Sequence, residues 1–408
     1  MTGLPTAARA LLLDPATRGD TALYQRLHAE APVLRTAGMW LVSGHAPVSR
    51  LAGDPRLTID PRAGDPPLPL TQSERLDRVF GDMLSFRDGA AHRRLRGLVA
   101  GAFSARRTAA LAGLVADVVR DLLDEAGPAF DVVADLADPL PVRTSCALLG
   151  LPPGAWPRVE RWARALTGQL FRFGQPADVV ADAERQLDEL LAYVDSLPAG
   201  GLLGDLRGAP LSRDERAAFA VLLLVNGVET VTAAVGGCVA ALLWRPGVAE
   251  LVRDQPRRAE EVVDECLRLD GPVWLAARRA AAPIALDGHR IATDDPVFLL
   301  WAVANRDPAV FPDPDAFRPG RPPRHLAFGK GPHHCLGAAL ARVQAAEVLR
   351  QLARRRPHAD PAAARRRHTT ALTGYASLPV ETSSRRWEGP PVPRKALTGG
   401  PSFGMGGE

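Results

Sequence analysis

The chain has 408 residues, 46% of them hydrophobic, and is therefore long enough to bury a large core. Its four cysteines lie far apart and form no CxxC pair, which argues against a disulfide-stapled scaffold and favours a reducing cytoplasm. The net charge of +4 is modest and comes almost entirely from arginine, so we expect no nucleic-acid partner, although an acidic partner protein would fit.

The N-terminal region has no basic stretch and only a short apolar run, so it does not resemble a signal peptide. The longest apolar region, 217–244, reaches the length of a membrane span. However, Asn226 and Glu229 lie at its centre, and a charge there costs about 3 kcal/mol in a bilayer. We therefore predict a long core helix in a soluble, cytoplasmic protein without membrane contact.

Helical periodicity dominates the rest of the chain, with short strands between the helices. Apolar residues recur at spacings of three and four in 105–127, 178–196, 213–244, 257–269 and 336–354. Strand patterns occupy 39–43, 284–291 around an LDG turn, and 296–301. The six prolines of 305–323 predict an ordered meander. We predict one mainly α domain, 1–383, and a disordered tail, 384–408.

The stretch FGKGPHHCLG, 328–337, places a cysteine where a glycine-rich loop meets a predicted helix. A helix N-terminus stabilises a thiolate, so Cys335 suits the role of ligand or nucleophile. A zinc site would need further ligands, and a nucleophile would need a base that the loop does not identify. A buried structural cysteine leaves the glycines unexplained. A thiolate ligand of haem iron is the fourth interpretation.

The same ten residues resemble, position by position, the haem-binding loop of the cytochrome P450 family. The matching residues are Phe328, Gly329, Gly331, His333, Cys335 and Gly337. The resemblance extends over about residues 15–382. It implies the cytochrome P450 fold, a large helical domain with a smaller β-rich region. It also implies haem b (iron protoporphyrin IX) between the long central helix and the helix after Cys335, with Cys335 as axial ligand.

The resemblance assigns further residues to the haem environment. His92 and Arg96 in DGAAHRRLR, together with Arg278 and His333, would contact the haem propionates. Glu265 and Arg268 would form a buried structural pair.

The third partner of that pair is usually an arginine, and Ala316 stands in its place here. Arg318 and Arg321 are the candidate substitutes.

The long helix carries VNGVETVT, which resembles the oxygen-activation motif of the family. The resemblance makes Thr230 the hydrogen-bond donor at the oxygen site and Glu229 a proton relay, although a threonine can also bond back to its own helix. Asn226 replaces a common alanine and is the third catalytic candidate, for substrate, water or an altered proton path. The predicted substrate pocket draws on 62–84 and on Phe171, Phe173, Leu222, Val225, Trp274, Leu275 and Tyr375.

The resemblance implies a bacterial monooxygenase that hydroxylates or epoxidises an apolar organic molecule with O2, often a natural-product intermediate. Electrons would come from NAD(P)H through a ferredoxin reductase and a ferredoxin. We expect the ferredoxin to dock near Arg94, Arg106, Arg107, Lys330 and Arg342. The alternatives are oxidative C–C or C–O coupling of aromatic rings, a non-catalytic haem-thiolate scaffold in a biosynthetic complex, and an enzyme driven directly by peroxide.

Overall fold

A computed structural model describes residues 3–14, 17–64, 66–152, 154–170, 172–198, 202–204, 208–225, 227–368 and 372–383. Helices make up most of this structure. In chain order they are α1 (Leu4–Leu13), α2 (Thr21–Glu30), α3 (His45–Leu51), α4 (Glu74–Gly81), α5 (Gly89–Val99), α6 (Ala105–Ala126), α7 (Pro139–Leu149), α8 (Trp156–Thr167), α9 (Ala177–Ser196), α10 (Arg213–Val225), α11 (Val228–Trp244), α12 (Val248–Asp254), α13 (Ala259–Asp270), α14 (Trp301–Ala304) and α15 (Ala338–Arg354).

The strands form small sheets beside the helices. They are β1 (Val33–Thr36), β2 (Met39–Val42), β3 (Leu57–Thr58), β4 (Ala129–Asp131), β5 (Ala276–Ala280), β6 (Ile284–Leu286), β7 (His289–Ile291), β8 (Pro296–Leu299), β9 (Pro357–His358), β10 (Arg365–His368), β11 (Thr373–Ser377) and β12 (Pro379–Thr382). The largest sheet has the order β1-β2-β8-β5-β3, in which β2 and β8 are parallel and the other pairs antiparallel. This mainly helical fold with a small β region confirms the predicted fold class.

The core forms where α11 packs against α13 and α15. Helix α11 is apolar on all sides and buries Val235, Cys238 and Val239 completely. A helix without a polar face is stable only when neighbouring elements cover it, and here they do. The central position of α11 brings its first turn and the loop before α15 into one interior.

The predicted long helix is described in two parts. The structure has α10 up to Val225 and α11 from Val228, with Gly227 at the N-cap of α11, and Asn226 between them lies outside the described residues. By length and hydropathy Arg213–Trp244 passes as a membrane span, but 73% of its most apolar window is buried inside the fold, as in a core helix.

The predicted turns and meander are confirmed in the described part of the chain. β6 and β7 pair as a hairpin across Asp287 and Gly288, both with positive φ (48° and 80°), as a tight two-residue turn requires. The proline-rich segment 305–323 is an ordered meander whose carbonyl groups accept hydrogen bonds from buried arginines. The tail predicted at 384–408 lies outside the described residues.

Candidate functional site

The loop before α15 is closed by the backbone. The Cys335 N–H donates to the Phe328 carbonyl at 2.9 Å. Gly329 and Gly331 have φ values of +68° and +75°, which side chains rarely adopt. A Cβ on Gly331 would lie 2.9 Å from the carbonyl oxygen of Ala52, so this glycine also permits close packing on the end of α3. The loop thereby holds Cys335 at the N-terminus of α15.

Cys335 is the exposed cysteine, whereas Cys146, Cys238 and Cys266 are buried. Burial nevertheless raises the pKa of the Cys335 thiol, and a hydrogen bond from the Gly337 N–H opposes that rise. A side chain that is accessible to solvent and yet surrounded by protein atoms borders an interior space. A raised pKa opposes the nucleophile interpretation, because a reactive cysteine needs a lowered one. A bound metal would deprotonate the thiol itself.

The zinc interpretation finds no support in the described portion of the chain, where no three His, Cys, Asp or Glu side chains come together as a metal site. Gly337 gives a positive indication of space beside Cys335. A Cβ at this position would meet no atom within 4 Å. Open space close to an accessible thiol leaves room for a group bound at Cys335.

His92 and His333 lie together on one side of this loop, with ring centroids 4.4 Å apart. His333 Nε2 contacts Asp88 Oδ1 at 2.8 Å. Burial alone would raise the pKa of Asp88, but hydrogen bonds from His333, Thr58 and the Ile59 N–H outweigh it, so the pKa lies well below its usual range. Sequence reasoning missed Asp88, although it opens the quoted DGAAHRRLR stretch directly before α5.

Burial, together with the nearby His333 and Arg96, lowers the pKa of His92 to about 4, although Asp88 acts in the opposite direction. His92 is therefore neutral near pH 7. Arg96, four residues along α5, donates to the His334 carbonyl at 2.9 Å. The structure thus brings these predicted propionate ligands to the edge of the Cys335 loop.

Arg278 on β5 gives the clearest test of whether a dianionic cofactor fits. Desolvation lowers its pKa to about 10, and Asp88 only partly compensates. Among the described residues no carboxylate lies within ion-pair distance of it, and its Nη1 donates to the neighbouring Ala277 carbonyl. Arg278 is half-buried, and a partly desolvated guanidinium without a counter-ion is stabilised when an anion binds beside it. A haem propionate would supply that anion.

The predicted pair Glu265–Arg268 is buried, with both side chains 2% exposed. Arg268 Nε and Nη2 donate to the two carboxylate oxygens, both at 2.8 Å. Arg321 completes the group: its Nε donates to Glu265 Oε1 at 3.1 Å. Arg318 contributes only its backbone N–H, at 2.8 Å, because its side chain pairs with Asp313 at the surface. Of the two proposed substitutes, Arg321 is therefore the third charged partner.

Arg268 also donates to the carbonyl groups of Asn305, Pro314 and Ala316. Arg321 donates to those of Pro312, Asp313 and Ala316. These bonds fix the meander that precedes the Cys335 loop in the chain.

Glu229 and Thr230 occupy the first turn of α11, and both are half-buried. Val228 in the same turn packs against the apolar cluster that Leu336, next to Cys335, also joins. The beginning of α11 and the cysteine loop therefore converge on one cluster. Asn226, the third catalytic candidate, lies outside the described residues.

The predicted pocket residues do not form one group. Leu222 packs on the same cluster as Val228. Trp274 and Leu275 instead pack against α1 and α2, and Trp274 is 2% exposed with the Arg18 guanidinium 4.4 Å from its ring.

Their place in the substrate pocket therefore stays a prediction, and what the structure adds is their packing against the N-terminal helices. Phe173 is 55% exposed at the surface. Tyr375 is buried beside Gly236, on a separate cleft of α11. Phe171 and the side chain of Val225 lie outside the described residues.

Sequence reasoning also missed a contact between two segments that are remote in sequence. Gln72 Nε2 donates to the Gln175 carbonyl, and the Gln175 N–H donates to Gln72 Oε1, both at 2.9 Å. Ser73 Oγ donates to Glu184 of α9 at 2.5 Å. We call these contacts the latch. The two glutamines are 103 residues apart, and no local pattern marks either of them.

Comparisons of sequence and of structure point to the same family. The family model described as Cytochrome P450 matches residues 202–355. The 20-oxo-5-O-mycaminosyltylactone 23-monooxygenase of Streptomyces fradiae is 34% identical, over 88% of this chain and 88% of that protein. The mycinamicin IV hydroxylase/epoxidase of Micromonospora griseorubida is also 34% identical, over 82% and 87%. The crystal structure of CalO2 superposes with a TM-score of 0.82 and 32% identity, covering 91% of this chain and 97% of that one.

Proposed function

From the premise that this chain belongs to the cytochrome P450 family and is a P450 monooxygenase, we propose that it hydroxylates or epoxidises a natural-product intermediate. The observation that carries the proposal is the accessible Cys335 at the mouth of α15, facing an interior edged by His92, Arg96 and Arg278. The family implies a haem-thiolate cofactor in general, and we propose haem b.

When bound, haem supplies the iron at which dioxygen is activated. Cys335 is the residue that would hold the iron. Its loop glycines keep side chains away from the sulfur, and the Gly337 N–H donates to it. We propose that Arg278, Arg96 and His92 bind the propionates; His333, whose ring lies against that of His92, contacts Asp88.

Protons for oxygen cleavage would come from the first turn of α11. The Thr230 hydroxyl is the proposed donor at the oxygen site, and the Glu229 carboxylate is the proposed proton carrier behind it. Leu222 and the apolar cluster around Val228 would exclude bulk water from this side. Exclusion of water strengthens each hydrogen bond in the site.

We propose an apolar substrate of substantial size. Its support is the large apolar cluster against which Leu222, Val228 and Leu336 each pack, and the monooxygenase and hydroxylase/epoxidase names of the relatives. Oxidative aromatic coupling remains the second candidate reaction. The mass of the product distinguishes the two, because coupling removes hydrogen without adding oxygen.

We propose a ferredoxin-type electron donor and a cytoplasmic location. The structure changes the predicted docking residues. Arg94 forms an ion pair with Glu215, and Arg342 Nε donates to Asp264 at 2.7 Å, so these two charges are neutralised. Arg106 and Lys330 stay exposed and are the better candidates for charge reversal. Their reversal should raise the apparent KM for ferredoxin and flatten its salt dependence. An unchanged reduction rate would remove this surface from the proposal.

The function is tested by turnover under labelled dioxygen with NADPH, ferredoxin and ferredoxin reductase, against a panel of apolar natural products. The expected product carries one oxygen atom from O2. Product formed only with peroxide would favour the peroxide-driven alternative. Haem binding without turnover of any compound, either with the ferredoxin system or with peroxide, would favour the scaffold alternative.

Thr230→Ala should leave the haem content unchanged but lower product formed per NADPH about tenfold or more, since proton delivery contributes at least that factor. The matched control is Thr232→Val on the same helix, because the Thr232 hydroxyl donates to the Ala137 carbonyl at 3.0 Å, away from the cysteine loop. Equal coupling in wild type and Thr230→Ala would assign proton delivery to another group, with Asn226 the first candidate.

A further inference from the structure

A second cleft lies on α11, beyond the first turn that carries Glu229 and Thr230. Its volume is about 120 Å³. It is bounded by α11, α13 and the β10–β11 hairpin, and its lining includes no residue of the Cys335 loop. An enclosed apolar cavity of about 150 Å³ holds a benzene molecule, so this somewhat smaller cleft can take most of a small ring or a short branched chain.

The cleft is apolar at its floor and charged at its mouth. The floor consists of small α11 residues, among them Ala233, Ala240 and Ala241, which are at most 9% exposed. The mouth carries Arg245 and Arg366, both exposed. This arrangement suits a ligand with an apolar body and a polar head.

Within the described parts of the chain, neither of these arginines has a carboxylate partner. Arg366 stacks on Tyr375, with its guanidinium carbon 4.8 Å from the ring centroid, and Nη2 contacts the Tyr375 hydroxyl at 3.2 Å. The Arg245 guanidinium lies 5.5 Å from the Phe317 ring centroid. Neither forms an ion pair with a described residue, unlike Arg306, which binds Asp315 at 2.5 Å. Their guanidinium groups keep donors available for an anion.

Asp270, the last residue of α13, is the other charged residue that lines the cleft. Burial raises the pKa of the Tyr375 hydroxyl, while Arg366, Asp270 and Arg245 all act on it electrostatically. The three charges therefore surround one hydroxyl group, with a net charge of +1. One negative charge on a ligand would neutralise the mouth.

We propose that this cleft binds a small organic monocarboxylate, with its apolar body against the alanine floor and its carboxylate between Arg245 and Arg366. The site is separate from the oxidation site, and the proposal does not depend on which substrate is oxidised. The hairpin that carries Arg366 is tied to the segment leading into β5, because Thr373 N–H donates to the Pro272 carbonyl at 2.9 Å. Occupation of the cleft would therefore stabilise a segment that leads to Arg278.

The test is calorimetric titration of the full-length holoenzyme with benzoate, with benzamide as the uncharged probe of the same shape. The holoenzyme is first saturated with 4-phenylimidazole, which blocks the oxidation site. Benzoate should bind at least tenfold more tightly than benzamide. Arg245→Gln and Arg366→Gln should each weaken benzoate binding at least fivefold. The matched control, Arg365→Gln, changes the neighbouring exposed arginine of β10 that does not line the cleft, and it should leave binding unchanged.

Ala240→Leu fills the floor without altering charge and should abolish binding of both probes. Its circular dichroism and haem content report whether it folds, and the arginine variants test the proposal independently of it. Equal affinity for benzoate and benzamide, an equal effect of Arg365→Gln, binding only in the absence of 4-phenylimidazole, or no binding at all would each overturn the proposal.

Discussion

The two sides of the proposed haem site are built in different ways. The Cys335 side consists of one short loop and a buried group, Glu265–Arg268–Arg321, in which each guanidinium is hydrogen-bonded to a carboxylate and to several carbonyl groups. The proposed substrate side draws on segments around 72, 175 and 222, which are remote from one another in sequence. Chemistry common to a family can be held by a rigid local structure, whereas a pocket for one substrate depends on contacts between distant segments.

If the Cys335 side owes its rigidity to the buried charged group, removal of Arg321 should have the largest effect on the free energy of unfolding. Arg321→Ala should lower the free energy of unfolding by about 3 kcal/mol, because it breaks a buried charge-assisted network. Haem content should fall as well. Denaturant unfolding and the haem absorbance of the purified protein measure both effects.

Arg318→Ala is the matched control for Arg321. The Arg318 side chain is 55% exposed and pairs only with Asp313, so the expected change is within about 0.5 kcal/mol. Equal losses in the two variants would mean that the side chain of Arg321 has no special role.

Substitution of the loop glycine Gly331 should have the next largest effect on the free energy of unfolding. Gly331→Ala combines a φ of +75° with a Cβ only 2.9 Å from the Ala52 carbonyl oxygen, so we expect a loss of about 2–3 kcal/mol and of haem binding. Gly288→Ala is the control, because its φ is +80° but no atom lies within 4 Å of the added Cβ. It should cost about 1 kcal/mol and leave haem content unchanged. Thermal unfolding of both variants separates steric packing from backbone strain.

Removal of the latch contacts should have the smallest effect on the free energy of unfolding. Gln72→Ala removes two exposed hydrogen bonds worth about 1 kcal/mol in sum, which favours opening about fivefold. The association rate of 4-phenylimidazole, followed by stopped-flow absorbance, should rise by that factor while stability barely changes. Gln25→Ala, which loses one exposed contact to Asp315 elsewhere, should leave the rate unaltered. An unchanged rate in Gln72→Ala would show that these contacts do not limit access.

The same contrast explains how much the sequence could predict. Cys335, its glycines and the Glu265–Arg268 pair were readable, because their spacing is local and few other side chains fit those backbone positions. Arg321 was one of two candidates, since a flexible side chain can reach a buried carboxylate from more than one position in a meander.

The packing partners that the sequence did not predict depend on tertiary structure. Trp274 is apolar and lies near the site in sequence, but α1 and α2 cover it. That covering is set by helices more than 240 residues away, which no local pattern reveals. Asp88 was missed for a related reason, because its importance comes from contacts with Thr58 and His333 rather than from its neighbours on α5.

The central claim is that Cys335 ligates haem iron as a thiolate. The most direct test is the absorption spectrum of the reduced protein under carbon monoxide, for wild type and Cys335→Ser. We expect the strongly red-shifted Soret band of a thiolate-ligated haem in the wild type and its loss in the variant. A band at the position typical of imidazole-ligated haem, or a wild-type protein that binds no haem, would contradict the account.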